Sequence, residues 1–330
     1  MASLLGGKKP WESPAFPPYH LMDPAHLAKS HDEHRRLENL YHKTQNLAWD
    51  GKKVLAELLE KHGGVNLPED KKRAIAEVFA IILWGELAAW QVSAALAEHV
   101  PEVEARLAAT GQVFDEARHF YTMRDYLLEL GIETPKINWF TKLALDFLIN
   151  TDNLVYKLVG MQLLVENIAV HLFKSVAESE VEPVITELMP YFEKDEARHV
   201  GLGVMYLPYM LKELGPIDQA KLMGVQAYIY ALVVLGGFSL QPEFRSLGIN
   251  MNKWLRRMGH DQADITFRMG RYKQRKGVLI APKWLHKVDA MLIDLFVPED
   301  LEAAPAPIRI FNNALSGLLS GVHKAASRLS

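Results

Sequence analysis

The pentapeptide Asp-Glu-Ala-Arg-His occurs twice, at 115–119 and 195–199, and each copy has a lone glutamate thirty residues before its own Glu, at Glu86 and Glu166. Residues three apart on an α-helix share a face, one turn apart, so Glu116 and His119 can reach one ion, and Glu196 and His199 another. The stretches around the lone glutamates, 74–97 and 153–176, are rich in Ala, Leu, Ile and Val and interrupted only by Gly85 and Gly160. Each therefore reads as a helix that brings one glutamate inward. Together they supply four carboxylates and two imidazoles in the order Glu, Glu-x-x-His, Glu, Glu-x-x-His, the set with which a four-helix bundle holds two metal ions. Carboxylates can bridge two cations, and imidazole suits iron, manganese or zinc, so this oxygen and nitrogen set favours a redox-capable pair.

The copies extend beyond the pentapeptide. A shift of 80 residues superposes Glu86 on Glu166, Glu116 on Glu196 and His119 on His199, and the run from Tyr126 to Gly131 resembles that from Tyr209 to Gly215. This is the pattern of a duplicated helical hairpin, which predicts a pseudo-two-fold bundle with carboxylates bridging between its halves. A metal-bound histidine needs an acceptor for its other ring nitrogen, and Asp115 and Asp195 are placed to serve the histidine of the opposite repeat. Arg118 and Arg198 would neutralise those aspartates. A single copy would read equally well as a solvated face with a surface ion pair, but two copies at matched offsets favour the anchoring role.

The doubled motif with its upstream glutamates resembles the ferritin-like dimetal-carboxylate superfamily. That superfamily contains multicomponent monooxygenases, ribonucleotide reductase small subunits, R2-like ligand-binding oxidases, acyl carrier protein desaturases and bacterioferritins. The resemblance spans roughly residues 70–215 and implies an all-α fold, a ferritin-like four-helix bundle with additional N- and C-terminal helices. It further implies that Glu86, Glu116, His119, Glu166, Glu196 and His199 are the catalytic metal ligands. The cofactor would be two metal ions, Fe/Fe or Mn/Fe, and the activity dioxygen activation. The residues that distinguish the subgroups are absent. Met123 stands where reductase small subunits carry the radical tyrosine, leaving Tyr121 and Tyr156 as redox-active candidates. Met161 replaces the cross-linking tyrosine of the ligand-binding oxidases, Val170 and Ala169 replace the monooxygenase and desaturase threonines, and Phe192 replaces the third histidine of the N-oxygenases.

A chain of 330 residues, 49% hydrophobic and with formal charge −3, is ample for one large helical domain and gives no sign of a nucleic-acid partner. With no cysteine it has no disulfide, thiol nucleophile or iron–sulfur ligand, in keeping with a cytoplasmic enzyme. The expected organisation is a proline-rich arm over 1–22, a dimetal-binding bundle over 23–215, and a helical extension over 216–330 packing on the bundle. Within the bundle, Asp23-Pro24 opens a polar helix, Pro135 opens a connector helix to Leu148, and Pro190 kinks or begins the last ligand helix. The apolar run 225–240 reads as a buried helix of sixteen residues, short of the ~20 needed for an integral membrane span. The basic stretch 244–276 offers a docking face for an acidic electron donor, although a solvated helix face explains it more simply.

Residues one turn from the ligands are expected to line the reaction site: Trp90, Phe120, Met123 and Phe192, with Gln112 and Gln162 the polar exceptions. They point to a hydrophobic small-molecule substrate, although the same stripe would also pack a bundle core. Neither a Gly-rich dinucleotide fingerprint nor a cluster-binding cysteine set is present, so electrons must come from an external donor such as a ferredoxin or reductase. The leading expectation is a dioxygen-activating oxidase or oxygenase, acting as a homodimer. The alternative is a ferroxidase or other iron-handling protein, which uses similar ligands in shorter, cage-forming chains. A structural protein with a vestigial site is disfavoured because all six ligand positions are intact.

Overall fold

The computed structural model describes residues 23–212, 214–271 and 297–329, together with 291, 293 and 294. The arm expected over 1–22 lies outside the described residues, as does part of the extension. Every regular element among the described residues is helical. Helix α1 (Pro24–Leu47) starts where expected, with the Asp23 carboxylate accepting from the backbone N–H of Ala25 and His26 and Pro24 in the first turn. Asp50 caps α2 (Gly51–His62), which ends at Gly63, a residue at φ 71° that glycine adopts without a Cβ penalty.

The four central helices are α3 (Glu69–His99), α4 (Val103–Glu129), a composite helix ending in α7 (Glu166–Ser179), and α8 (Pro183–Leu211). Helix α3 packs along α4 and α7 along α8, so each repeat is one hairpin. The connector α5 (Trp139–Asn150) begins four residues beyond the predicted Pro135, because Asn138, not the proline, supplies the cap, accepting from Phe140 and Thr141. The stretch expected as one helix over 153–176 has three parts: a short α6 (Leu154–Lys157), a π-helical segment (Leu158–Val165), and α7, whose first residue is Glu166. Pro190 does not begin α8. The start is fixed seven residues earlier, where the Glu182 carboxylate accepts from Val184 and Ile185 and Pro183 occupies the first turn, and both Pro190 and Pro208 sit inside the helix.

A reciprocal pair of contacts ties the hairpins together. Tyr126, near the end of α4, donates to Glu182 at the start of α8 at 3.1 Å, and Tyr206, near the end of α8, donates to Glu102 at the start of α4. Each pair maps onto the other by the 80-residue shift, so α4 and α8 run antiparallel about the pseudo-two-fold axis. The counterpart of Tyr126 is therefore Tyr206; Tyr209 instead donates to the Glu33 carbonyl of α1 at 3.1 Å.

The extension comprises α9 (Pro216–Ser239), α10 (Gln241–Ser246), α11 (Met251–Arg271) and α12 (Ala306–Leu329). The apolar run 225–240 belongs to a helix of 24 residues rather than sixteen, and only 33% of its most apolar window is buried. Pro216 starts the helix nine residues upstream, and α9 packs mainly against α5 and α12, with lesser contact to the π-helical segment and α10. By length and composition α9 and the core helix α3 are each apolar enough to cross a membrane. In the basic stretch, Arg257 pairs with Glu178 of the bundle helix α7 at 2.6 Å, and Arg256 pairs with Asp294 within the extension; 272–276 lie outside the described residues.

Candidate metal centre

The six predicted ligands converge at the middle of the bundle, and none is more than 4% exposed. Their donor atoms form two overlapping groups: Glu86, Glu116, His119 and Glu196, and then Glu116, Glu166, Glu196 and His199. Glu116 and Glu196 belong to both. The two histidines present equivalent atoms. His119 Nδ1 lies 3.2 Å from Glu86 and 3.0 Å from Glu196, and His199 Nδ1 lies 3.1 Å from Glu116 and 2.9 Å from Glu196.

The opposite ring nitrogens turn to the aspartates of the other repeat. His119 Nε2 is 3.0 Å from Asp195, and His199 Nε2 is 3.4 Å from Asp115. Arg118 and Arg198 each bridge both aspartates, forming a buried four-residue network across the pseudo-two-fold axis. Burial alone would raise the Asp195 pKa, but its bond to His119 and the two guanidinium charges hold it well below the usual carboxylate range.

Trp49, between α1 and α2, joins this network although nothing in the local sequence marks it. Its Nε1 donates to Asp195 at 2.8 Å, its ring stacks near His119 at 6.3 Å, and the Arg118 guanidinium lies 5.0 Å from its centroid. Of the predicted lining residues, Phe192 stacks on His119 at 4.5 Å. Gln112 donates to Glu116 and Glu166, and Gln162 donates to Gln112. Trp90 and Phe120 face each other at 6.3 Å, and Met123 is fully buried one turn beyond His119. No hydrogen bond or ring contact among the described residues joins those three to the six.

The donor set fits a pair of cations. Glu116 Oε2 and Glu196 Oε1 are buried without a hydrogen-bond partner, although His119 Nδ1 lies 3.5 Å from the former and 3.0 Å from the latter, and four ionised carboxylates would balance the charge of two divalent ions. In the metal-free protein that charge is relieved by protons instead. Burial, reinforced by the Glu196 charge, pushes Glu86 and Glu166 well above the ordinary glutamate pKa. Burial would lower the pKa of both histidines, but the surrounding carboxylates overcome it and raise them well above the ordinary value. Glu116 moves the other way: burial raises its pKa, yet the two histidines beside it hold it well below.

No protein-family model matches this sequence, and no curated protein matches it. Solved structures do match. A Synechococcus protein with aldehyde deformylating oxidase activity superposes with TM-score 0.55 at 17% identity, over 62% of this chain and 92% of its own. The dimanganese(II)-NrdF of Streptococcus sanguinis superposes with TM-score 0.57 at 12% identity, over 76% of this chain and 95% of its own. The fold is ferritin-like. An R2-like ligand-binding oxidase with a reconstituted Mn/Fe cofactor superposes less well, with TM-score 0.44 at 16% identity, over 86% of this chain and 93% of its own. Within this ferritin-like fold the six donor residues sit on the four central helices, one glutamate on each of α3 and α7 and one Glu-x-x-His on each of α4 and α8.

Proposed function

We propose that this chain is a non-haem dimetal oxidoreductase that activates dioxygen, an oxidase or oxygenase of a hydrophobic small molecule. The observation that carries the reading is the buried set of four glutamates and two histidines in two groups that share Glu116 and Glu196. Glu86, Glu116, His119 and Glu196 would hold one ion and Glu116, Glu166, Glu196 and His199 the other, as Fe/Fe or Mn/Fe. Such a pair supplies electrons to dioxygen and polarises it, chemistry that no side chain of this protein offers alone.

The protein's own part is to hold and shield. Asp195 and Asp115 fix the two imidazoles so that Nδ1 faces the carboxylates. Phe192 covers the face of His119, keeping water from that side. The substrate assignment rests on the apolar pattern one turn from the ligands in sequence, of which Phe192 packs on His119, and an external ferredoxin or reductase would return the electrons.

Anaerobic loading with Fe(II), alone and with Mn(II), followed by exposure to oxygen tests the reading. Two ions per chain, rapid oxygen uptake and a new optical or magnetic signature are expected. Failure to consume oxygen in either loaded form would overturn it. Gel filtration separates the iron-handling alternative, since a dimer is expected and a 24-subunit cage would favour ferroxidase or storage chemistry.

A further inference from the structure

Two glutamines carry hydrogen-bond polarity out of the metal centre. Gln112 lies one turn before Glu116 and Gln162 one turn before Glu166, and they are 2% and 0% exposed. The Gln112 amide nitrogen lies 2.9 Å from Glu116 Oε1 and 2.7 Å from Glu166 Oε1. The amide nitrogen thus donates to both carboxylates, which engages both of its protons and leaves the amide oxygen to accept. Gln162 Nε2 donates to that oxygen at 3.3 Å. These hydrogen bonds order both amides along one thread, which ends on the Gln162 carbonyl oxygen, buried with no hydrogen-bond partner.

Leaving a buried acceptor unpaired is costly, and the bundle does not require one here. Under the 80-residue shift the counterparts of Gln112 and Gln162 are Phe192 and Ile82, which fill the same positions with apolar side chains. The thread thus exists on one flank only, beside Glu116 and Glu166. Gln162 also sits in the π-helical segment, against which α8 packs closely at Gly203: a Cβ there would come within 2.8 Å of Leu163 Cδ2 and 2.9 Å of the Gln162 Cβ.

We propose that the Gln162 carbonyl oxygen receives a hydrogen-bond donor, a hydroxyl or N–H, carried by the molecule transformed at the dimetal centre. The inference rests on the proposed function and narrows its substrate from any hydrophobic molecule to one bearing a donor group. Gln162 would be a positioning residue, and Gln112 would fix which end of its amide faces the guest.

Three probes of equal heavy-atom count test it: 1-butanol, its isomer methyl propyl ether, which only accepts, and pentane. Binding is measured by ligand-observed NMR to the full chain loaded with redox-inert Zn(II). 1-Butanol is expected to bind about tenfold more tightly than the ether. That ratio should fall to about twofold or less in Gln162→Leu, which removes the acceptor, and in Gln112→Leu, which frees the Gln162 amide to turn. Equal binding of alcohol and ether to the wild type, no binding of any probe, or a preference that survives both substitutions would overturn the proposal. So would a crystal structure showing the alcohol away from Gln162 and an ordered water kept on its oxygen. Oxygen uptake by the iron-loaded protein judges the dimetal reading separately, so the two can fail independently.

Discussion

At the scale of single residues, the shared carboxylates and the crossed aspartates make the sharpest claims. Replacing Glu116, common to both donor groups, or His199 by alanine should leave fewer than two ions per chain by elemental analysis after anaerobic loading; a full pair in both variants would refute the ligand assignment. Asp195 has a different part, since it contacts His119, Trp49 and both arginines. Asp195→Asn should weaken metal binding about 10- to 100-fold, as loss of such an anchor does. It also leaves buried guanidinium charge short of a partner, so unfolding in urea should show a loss of about 3–5 kcal/mol. That these six donor residues and two aspartates would come together was legible in the chain because their relations are local, a three-residue spacing within a helix and an identical copy 80 residues on. Trp49 could not, because its contact with Asp195 spans 146 positions and no motif surrounds it.

Among elements, the hairpins and their caps follow from ordinary helix signals, whereas the π-helical segment does not. Leu158–Val165 is an apolar run broken only by Gln162, and no residue in it distinguishes five-residue from four-residue bonding, so a continuous helix was the natural expectation. The late start of α5 was legible in principle, since Asn138 is a better cap than Pro135 is a starter. The Tyr–Glu pairs are the clearest element-level test. Tyr206→Phe removes a hydrogen bond to the carboxylate at the head of α4 and should cost about 1.5–3 kcal/mol in urea unfolding, and Tyr126→Phe should cost a similar amount through α8. Unchanged midpoints in both variants would show that these contacts do not hold the hairpins in register.

For the whole molecule, the concentration of charge at its centre sets how stability responds to pH and metal. Glu86, Glu166, His119 and His199 all have folded-state pKa values raised above their ordinary values of 4.5 and 6.5. A raised value means that the folded state holds protons the unfolded chain releases, so this stabilisation is complete below the ordinary value and lost as pH climbs through the folded one. The metal-free protein should therefore melt at progressively lower temperature from about pH 4.5 upward, the histidines adding their share above about 6.5. Bound ions replace those protons, so metal uptake should release protons into a weakly buffered solution and the loaded protein should keep its melting temperature at neutral pH. A flat melting profile for the metal-free form would contradict this account. The reciprocal tyrosine–glutamate contacts between α4 and α8 bear on ancestry. Each hairpin takes its tyrosine contact and its histidine anchor from the other, so a single hairpin is an incomplete unit that a second, identical one would complete. An assembly of two such chains around a shared pair of ions, later fused end to end, would leave this pattern, and the glutamines on one flank mark where the fused halves then diverged.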